Sequence, residues 1–161
     1  MLNRIFLAAT GLAMTASISL LTTPADAAGA FANFTGSWSG NGQMRLEGGR
    51  TEALRCKAYY TDKSGGTALG ISLRCASSSN KVELRANLTA SGSRVSGDWE
   101  ERNFNVGGRA NGTAGGSNIS LAINGGLNGS MSVTTNGSRQ SVSITTESAA
   151  LKGIQIGLSR D

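Results

Sequence analysis

The chain has 161 residues, among them 23 glycines, one proline, two cysteines and no histidine. Its formal net charge is +5, and charged residues make up only 16% of it, too few for a charged disordered chain. The length indicates one domain. Without histidine, the chain cannot form a Ser-His-Asp triad, a histidine-ligated haem or an ordinary zinc site.

The first segment has the pattern of a secretory signal. Arg4 gives it a basic start, residues 5–21 are apolar and uncharged, and Ala25-Asp26-Ala27 matches an Ala-x-Ala cleavage site. A retained membrane anchor is the alternative, but the apolar run is at the lower limit for a spanning helix. We therefore expect a signal peptide over residues 1–27, export to the bacterial periplasm or medium, and a single domain over residues 28–161.

From Trp38 onward, apolar residues recur at every second position, which is typical of strands with one buried face. Glycine-bearing turns separate these runs, and Asn136-Gly137 has the strongest turn chemistry, because a type I′ turn needs positive φ at both central residues. A single helical turn is expected near Glu147–Lys152. In chain order the predicted strands are 38–47, 54–60, 69–75, 82–90, 95–99, 104–110, 119–123, 127–133, 142–144 and 151–158.

A run of short antiparallel strands with one apolar face must cover that face. The short connections predict an all-β, up-and-down barrel of about 8–10 strands, with a two-sheet β-sandwich as the alternative. An outer-membrane barrel would need apolar outward positions and aromatic girdles, whereas the outward residues here are mainly Arg, Lys, Ser, Thr and Asn. A β-solenoid would need a fixed repeat, which the Asn-Gly pairs lack.

The two cysteines face each other if residues 62–67 turn a hairpin. A turn centred on Gly65-Gly66 places Cys56 directly opposite Cys75. The Cβ atoms of opposed strand residues lie about 4.5–5.5 Å apart, which is close to disulfide geometry. In an exported chain without a Cys-x-x-Cys motif, this predicts one structural disulfide.

The motif Gly36-Ser37-Trp38 opens the first predicted strand. It resembles the Gly-x-Trp opening of lipocalin-type calycin barrels, in which the Trp closes the barrel floor beneath an Arg from a late strand. The resemblance implies a small secreted β-barrel with Trp38 at its floor and either Arg139 or Arg160 over it. Residues 38–42 are also similar to the Trp-x-Gly-x-Gly opening of nitrobindin-type domains, but haem binding does not carry over, because the haem-ligating histidine is missing.

Glycine and alanine are interspersed among bulky residues on the predicted inward face. Small inward residues indicate either close packing of the strands or a cavity, and the sequence leaves both open. A cavity would make the protein a binding protein for a small apolar or amphipathic, lipid-like ligand, with no cofactor or metal expected. The predicted ligand-binding residues are Trp38, Tyr60, Trp99 and Phe104.

The predicted outward face is rich in positive charge. If Cys56 faces Cys75, then Lys57 faces Arg74, and Arg74 also faces Glu83 across the next hairpin. The alternative function is an envelope structural or protein-interaction module, inhibitor-like, that acts through this surface and makes weak contacts with an anionic membrane or lipopolysaccharide. The charges could equally serve solubility. The predicted patch comprises Arg45, Arg55, Lys57, Arg74, Lys81 and Arg85.

Neither catalysis nor nucleic-acid binding is predicted. Glu100 and Glu101 are strand neighbours that face opposite ways, with Glu101 inward at a strand end, so they do not form a carboxylate pair. Tyr59 and Tyr60 likewise point to opposite faces, which leaves only Tyr59 on the basic side. We expect a protein that is not an enzyme.

Overall fold

The computed structural model describes residues 29–161, and the predicted signal peptide lies outside them. Each strand pairs antiparallel with its neighbours in the chain, and the last strand pairs with the first, so the sheet closes into an up-and-down barrel. The predicted fold class is confirmed, and the sandwich alternative is wrong. The ten strands are β1 (Gly36–Leu46), β2 (Thr51–Asp62), β3 (Ala68–Ala76), β4 (Lys81–Ser91), β5 (Arg94–Glu101), β6 (Val106–Gly115), β7 (Asn118–Gly125), β8 (Gly129–Asn136), β9 (Arg139–Thr146) and β10 (Leu151–Arg160).

The helical turn expected near Glu147–Lys152 does not form. Residues 147–150 make an irregular connection, and Leu151 already pairs with Leu46 across the seam between β10 and β1. Leu151 and Lys152 belong to β10, and their place in the closing strand overrides the weak helical preference of the segment. A short 3₁₀ helix occurs instead at Glu47–Gly49, between β1 and β2. Within residues 29–161, no helix has the length and apolarity that crossing a membrane requires.

The predicted disulfide and register are confirmed. Cys56 and Cys75 are bonded, with their Cα atoms 4.1 Å apart, and they are direct partners in the β2–β3 ladder. One residue further along the same ladder, Lys57 faces Arg74. Arg74 in turn faces Glu83 across the β3–β4 ladder, as the turn positions predict.

Several inward glycines stand where neighbouring backbones approach closely. A Cβ at Gly112 would overlap the carbonyl oxygen of Ser120 and lie 2.9 Å from the Cα of Leu121. A side chain at these positions would push adjacent strands apart, so the glycines allow the strands to curve into a narrow barrel. At these positions the close-packing interpretation of the small residues is correct. The other glycines of this kind are Gly40, Gly42, Gly97, Gly108 and Gly129.

The two ends of the barrel differ. The β1–β2, β3–β4, β5–β6, β7–β8 and β9–β10 connections lie at one end, which we call the open end. The other connections lie at the opposite, closed end, together with the segment Gly29–Thr35. Phe31 and Phe34 of that segment are completely buried, and the Phe31 N–H donates to the Gly66 carbonyl at 3.0 Å. The segment therefore covers the closed end with two aromatic rings.

Candidate functional site

Trp38 forms the floor of the barrel. Its indole is completely buried, and Nε1 donates to the Phe34 carbonyl at 3.0 Å. The Arg160 guanidinium lies 4.2 Å from the centroid of the Trp38 ring, in cation–π contact, and donates to the Thr35 carbonyl at 2.6 Å. Arg160, rather than Arg139, is thus the covering residue that the Gly-x-Trp motif implies.

A cavity of about 520 Å³ occupies the interior toward the open end. Its wall is mostly apolar and is built from side chains of successive strands, which the inward alternation of each strand supplies. Ala86 and Ala110 leave room in the wall where a larger side chain would fill it. The larger lining residues include Met44, Leu84, Trp99, Leu121, Met131 and Ile154.

The structure brings two of the four predicted ligand residues to this cavity. Trp99 and Phe104 line it, whereas Trp38 and Tyr60 are not part of its wall. Tyr60 pairs with Gly36 at the start of β1, which places it toward the closed end. The predicted strand 104–110 begins two residues later than expected, at Val106, so Phe104 lies in the turn before β6 rather than on an inward strand position.

Phe104 stands at the mouth and is 56% exposed. Its turn is fixed by Glu101, an inward carboxylate at the end of β5 that is itself only 8% exposed. Glu101 accepts hydrogen bonds from the backbone N–H of Glu83 at 2.6 Å and of Phe104 at 2.7 Å. The carboxylate thus ties the β5–β6 turn to β4 and holds the Phe104 backbone in place.

A second carboxylate orders the neighbouring loop at the mouth. Glu52 on β2 accepts hydrogen bonds from Ser77 at 2.5 Å, Ser79 at 2.8 Å and Asn80 at 3.0 Å. These side-chain hydrogen bonds, that of Ser77 foremost, lower the pKa of the Glu52 carboxyl. The β3–β4 connection is therefore fastened to β2 by a charged group at the cavity rim.

The interior also contains polar atoms without partners. The Tyr60 hydroxyl, the Trp99 Nε1 and the side-chain amide of Gln140 are buried and have no hydrogen-bond partner among the described residues. Burial also raises the pKa of the Tyr60 hydroxyl above its ordinary value, so the group is neutral at physiological pH. Of these groups only the Trp99 Nε1 belongs to the cavity wall, which also contains the carboxylates of Glu52 and Glu101 at its rim. Residues 29–161 contain no cluster of Cys, Asp and Glu side chains suited to hold a metal ion.

The predicted basic patch divides into three parts. Arg55, Lys57 and Arg74 line one groove of about 590 Å³ on the outer face of the sheet. Arg85 lies beside that groove and forms an ion pair with Glu83 at 3.0 Å. Arg45 is not part of the groove; it pairs with Gly153 of β10 on the other side of β1. Lys81 lines the same groove as Arg55, Lys57 and Arg74.

The sequence contained only part of the signal for this site. Alternation identifies Met44, Leu121 and Met131 as inward, but does not tell how deep each lies in the barrel. That depth depends on strand tilt and stagger, which alternation does not determine. Glu52 is in phase with the inward Leu54 and Cys56, but its hydrogen bonds could not be predicted, because its partners Ser77, Ser79 and Asn80 come together only through the fold.

No protein-family model and no curated protein matches the chain. Among solved structures, it is similar to Rv2717c from M. tuberculosis, with a TM-score of 0.67 and 15% identity over 82% of this chain and 95% of that one. It is also similar to the S-type phycobiliprotein lyase CPES from Guillardia theta, with a TM-score of 0.57 and 10% identity over 81% and 90% of the two chains. These likenesses support a calycin-like barrel fold, whereas membership in the lipocalin family stays a prediction.

Proposed function

We propose that the protein is an exported binding protein that holds a small apolar or amphipathic ligand of lipid-like character in the barrel. The observation that carries this proposal is the apolar cavity of about 520 Å³, open at one end and sealed at the other by Phe31, Phe34 and Trp38. Cores that serve only to fold are packed to crystal density and have few voids larger than a water molecule. Ligand pockets, in contrast, have volumes of about 300–1,000 Å³.

The cavity limits the size of the ligand. At about 30 Å³ for each water-sized group, a volume of about 520 Å³ accommodates about 17 non-hydrogen atoms. A long-chain fatty acid or a compact polycyclic lipid matches this size, and the apolar wall favours it over a sugar or a nucleotide. The ring of Trp99 lies in the wall and offers an aromatic contact and a fluorescent reporter.

Two features support export. The Cys56–Cys75 disulfide is of the kind that persists in oxidising compartments. The first 27 residues have the composition of a cleaved bacterial signal. Binding rather than catalysis is proposed because Glu52 and Glu101, two carboxylates of the cavity wall, hold the mouth loops through hydrogen bonds.

Native mass spectrometry of protein exported by a bacterial host tests the proposal. We expect a bound mass of a few hundred daltons. Protein freed of that mass should show quenching of Trp fluorescence when a long-chain fatty acid or a compact polycyclic lipid of similar size is added. In the Trp99→Phe variant only Trp38, outside the cavity, remains, and the quenching should be lost. A ligand-free mass together with unchanged fluorescence across the panel would contradict the proposal and favour an interaction module that acts through its surface.

A further inference from the structure

The outer face of β2, β3 and β4 carries more positive than negative charge. We define the basic face as Arg55, Lys57, Arg74 and Lys81, which line the outer groove described above. Lys57 lies directly opposite Arg74 in the β2–β3 ladder, and like charges in that position destabilise a sheet. The pair therefore costs folding free energy, which is offset only in part by the ion pair between Arg74 and Glu83.

Glu83, the acidic residue on this face, already forms ion pairs with three arginines. Glu83 lies 3.7 Å from Arg74, 3.0 Å from Arg85 and 3.4 Å from Arg102. The hydrogen bond from Arg85, and the charges of the three arginines, lower the pKa of the Glu83 carboxyl, which is ionised at neutral pH. Among the described residues, Arg55, Lys57 and Lys81 form no ion pair. One carboxylate thus serves three arginines, and the basic face remains positive.

The basic face adjoins the mouth of the cavity. Asn103 borders the outer groove, and the next residue, Phe104, borders the cavity. Phe104 is 56% exposed, and Glu101 fixes its turn through the Phe104 N–H. A large apolar side chain is therefore held at the rim beside a positive surface, a combination that suits the boundary between lipid headgroups and acyl chains.

We propose that the open end docks on the surface of an anionic phospholipid bilayer. The basic face contacts the headgroups, and Phe104 enters the acyl boundary. Positive charge and one apolar residue together give weak, reversible and salt-sensitive attachment. The docking does not depend on the proposed ligand; if the cavity holds a lipid-like molecule, docking also brings the mouth to the source of that ligand.

Vesicle co-sedimentation of the unliganded protein tests the docking. Wild type should bind vesicles of phosphatidylcholine with phosphatidylglycerol at about 20 mM salt and dissociate from them near 0.5 M salt. It should not bind vesicles of pure phosphatidylcholine. Lys57→Glu/Arg74→Glu should weaken binding at least tenfold. The matched control is Arg94→Glu/Arg139→Glu, which reverses two exposed charges at the closed end and should stay within about threefold of wild type. Equal binding by the two double variants would overturn the proposal.

A second comparison separates a membrane from a soluble polyanion. Phe104→Ser should weaken vesicle binding severalfold and leave binding of inorganic polyphosphate unchanged, because only a bilayer offers an apolar phase to the ring. If Phe104→Ser binds vesicles as wild type does, the membrane proposal fails, and the basic face is a site for acidic polymers. Cavity occupancy, read by native mass spectrometry, is measured separately, so failure of the docking and failure of the binding function are distinguishable.

Discussion

Truncation of Phe34 tests whether residues 29–35 really seal the barrel. In the variant Phe34→Ala the backbone carbonyl that accepts the Trp38 Nε1 hydrogen bond remains, so the change isolates the packing of the ring. The Phe34 side chain is completely buried. Truncating a buried phenylalanine to alanine costs about 3–5 kcal/mol, the sum of lost transfer free energy and the cavity left behind.

That cost is large relative to the stability of a domain of this size, which is about 5–15 kcal/mol. Phe104→Ala is the matched control, because it removes the same side chain from a position that is 56% exposed. Its effect on the free energy of unfolding should stay within about 0.5 kcal/mol. The difference between the two variants is therefore the contribution of burial at the closed end.

Urea unfolding followed by Trp fluorescence gives both free energies. We expect the midpoint of Phe34→Ala to fall well below that of wild type with an unchanged slope, and that of Phe104→Ala to stay near wild type. In a Trp99→Phe background, acrylamide should also reach Trp38 more readily once Phe34 is truncated. If the two phenylalanine variants unfold alike, residues 29–35 do not cover the closed end of the barrel in solution.

Three further predictions concern stability. Gly112→Ala should destabilise the fold by about 1–3 kcal/mol, because the new Cβ overlaps a carbonyl oxygen of β7, whereas Gly157→Ala, which meets nothing within 4 Å, should be nearly neutral in the same urea assay. Replacing Cys56 and Cys75 together by serine opens a link across 19 residues and should lower the free energy of unfolding by about 3 kcal/mol; an unchanged midpoint would refute this. The fold lowers the pKa of the Glu52 carboxyl, so this carboxylate contributes fully to the free energy of unfolding above its ordinary pKa of 4.5, and the contribution is lost as the pH falls through the lowered pKa. Glu52→Gln should therefore make the free energy of unfolding decline less steeply in acid. A decline parallel to that of wild type would contradict the assignment.

Most strand positions and pairings could be predicted from the sequence, because the period-two alternation of apolar residues and the turn residues constrain each hairpin separately. The turn at Gly65-Gly66 sets the register of β2 and β3, and that register alone brings Cys56 to Cys75 and Lys57 to Arg74. A shift of one residue would turn every inward side chain outward, so the apolar pattern leaves little freedom. The closure of β10 on β1 follows from the same need to cover an apolar face.

Depth within the barrel could not be predicted in this way. Tyr60 and Trp99 both occupy inward positions, yet only Trp99 reaches the cavity wall. Alternation assigns a face, whereas depth depends on the tilt and stagger of all the strands together. Phe31 lies before the first strand, in a segment without alternating apolar residues, so no local pattern predicted that it would be buried in the floor.

Filling the cavity tests the central claim, that its volume is a ligand site, most directly. Ala110 lies in the cavity wall on β6, while Ala122 on β7 faces outward and is exposed. The measurement is equilibrium binding of a fluorescent long-chain fatty acid to wild type, Ala110→Phe and Ala122→Phe, each shown to be folded by its Trp fluorescence. We predict that Ala110→Phe binds at least tenfold more weakly than wild type and that Ala122→Phe binds as wild type does. Equal affinity of the three folded proteins would show that the ligand does not occupy the cavity.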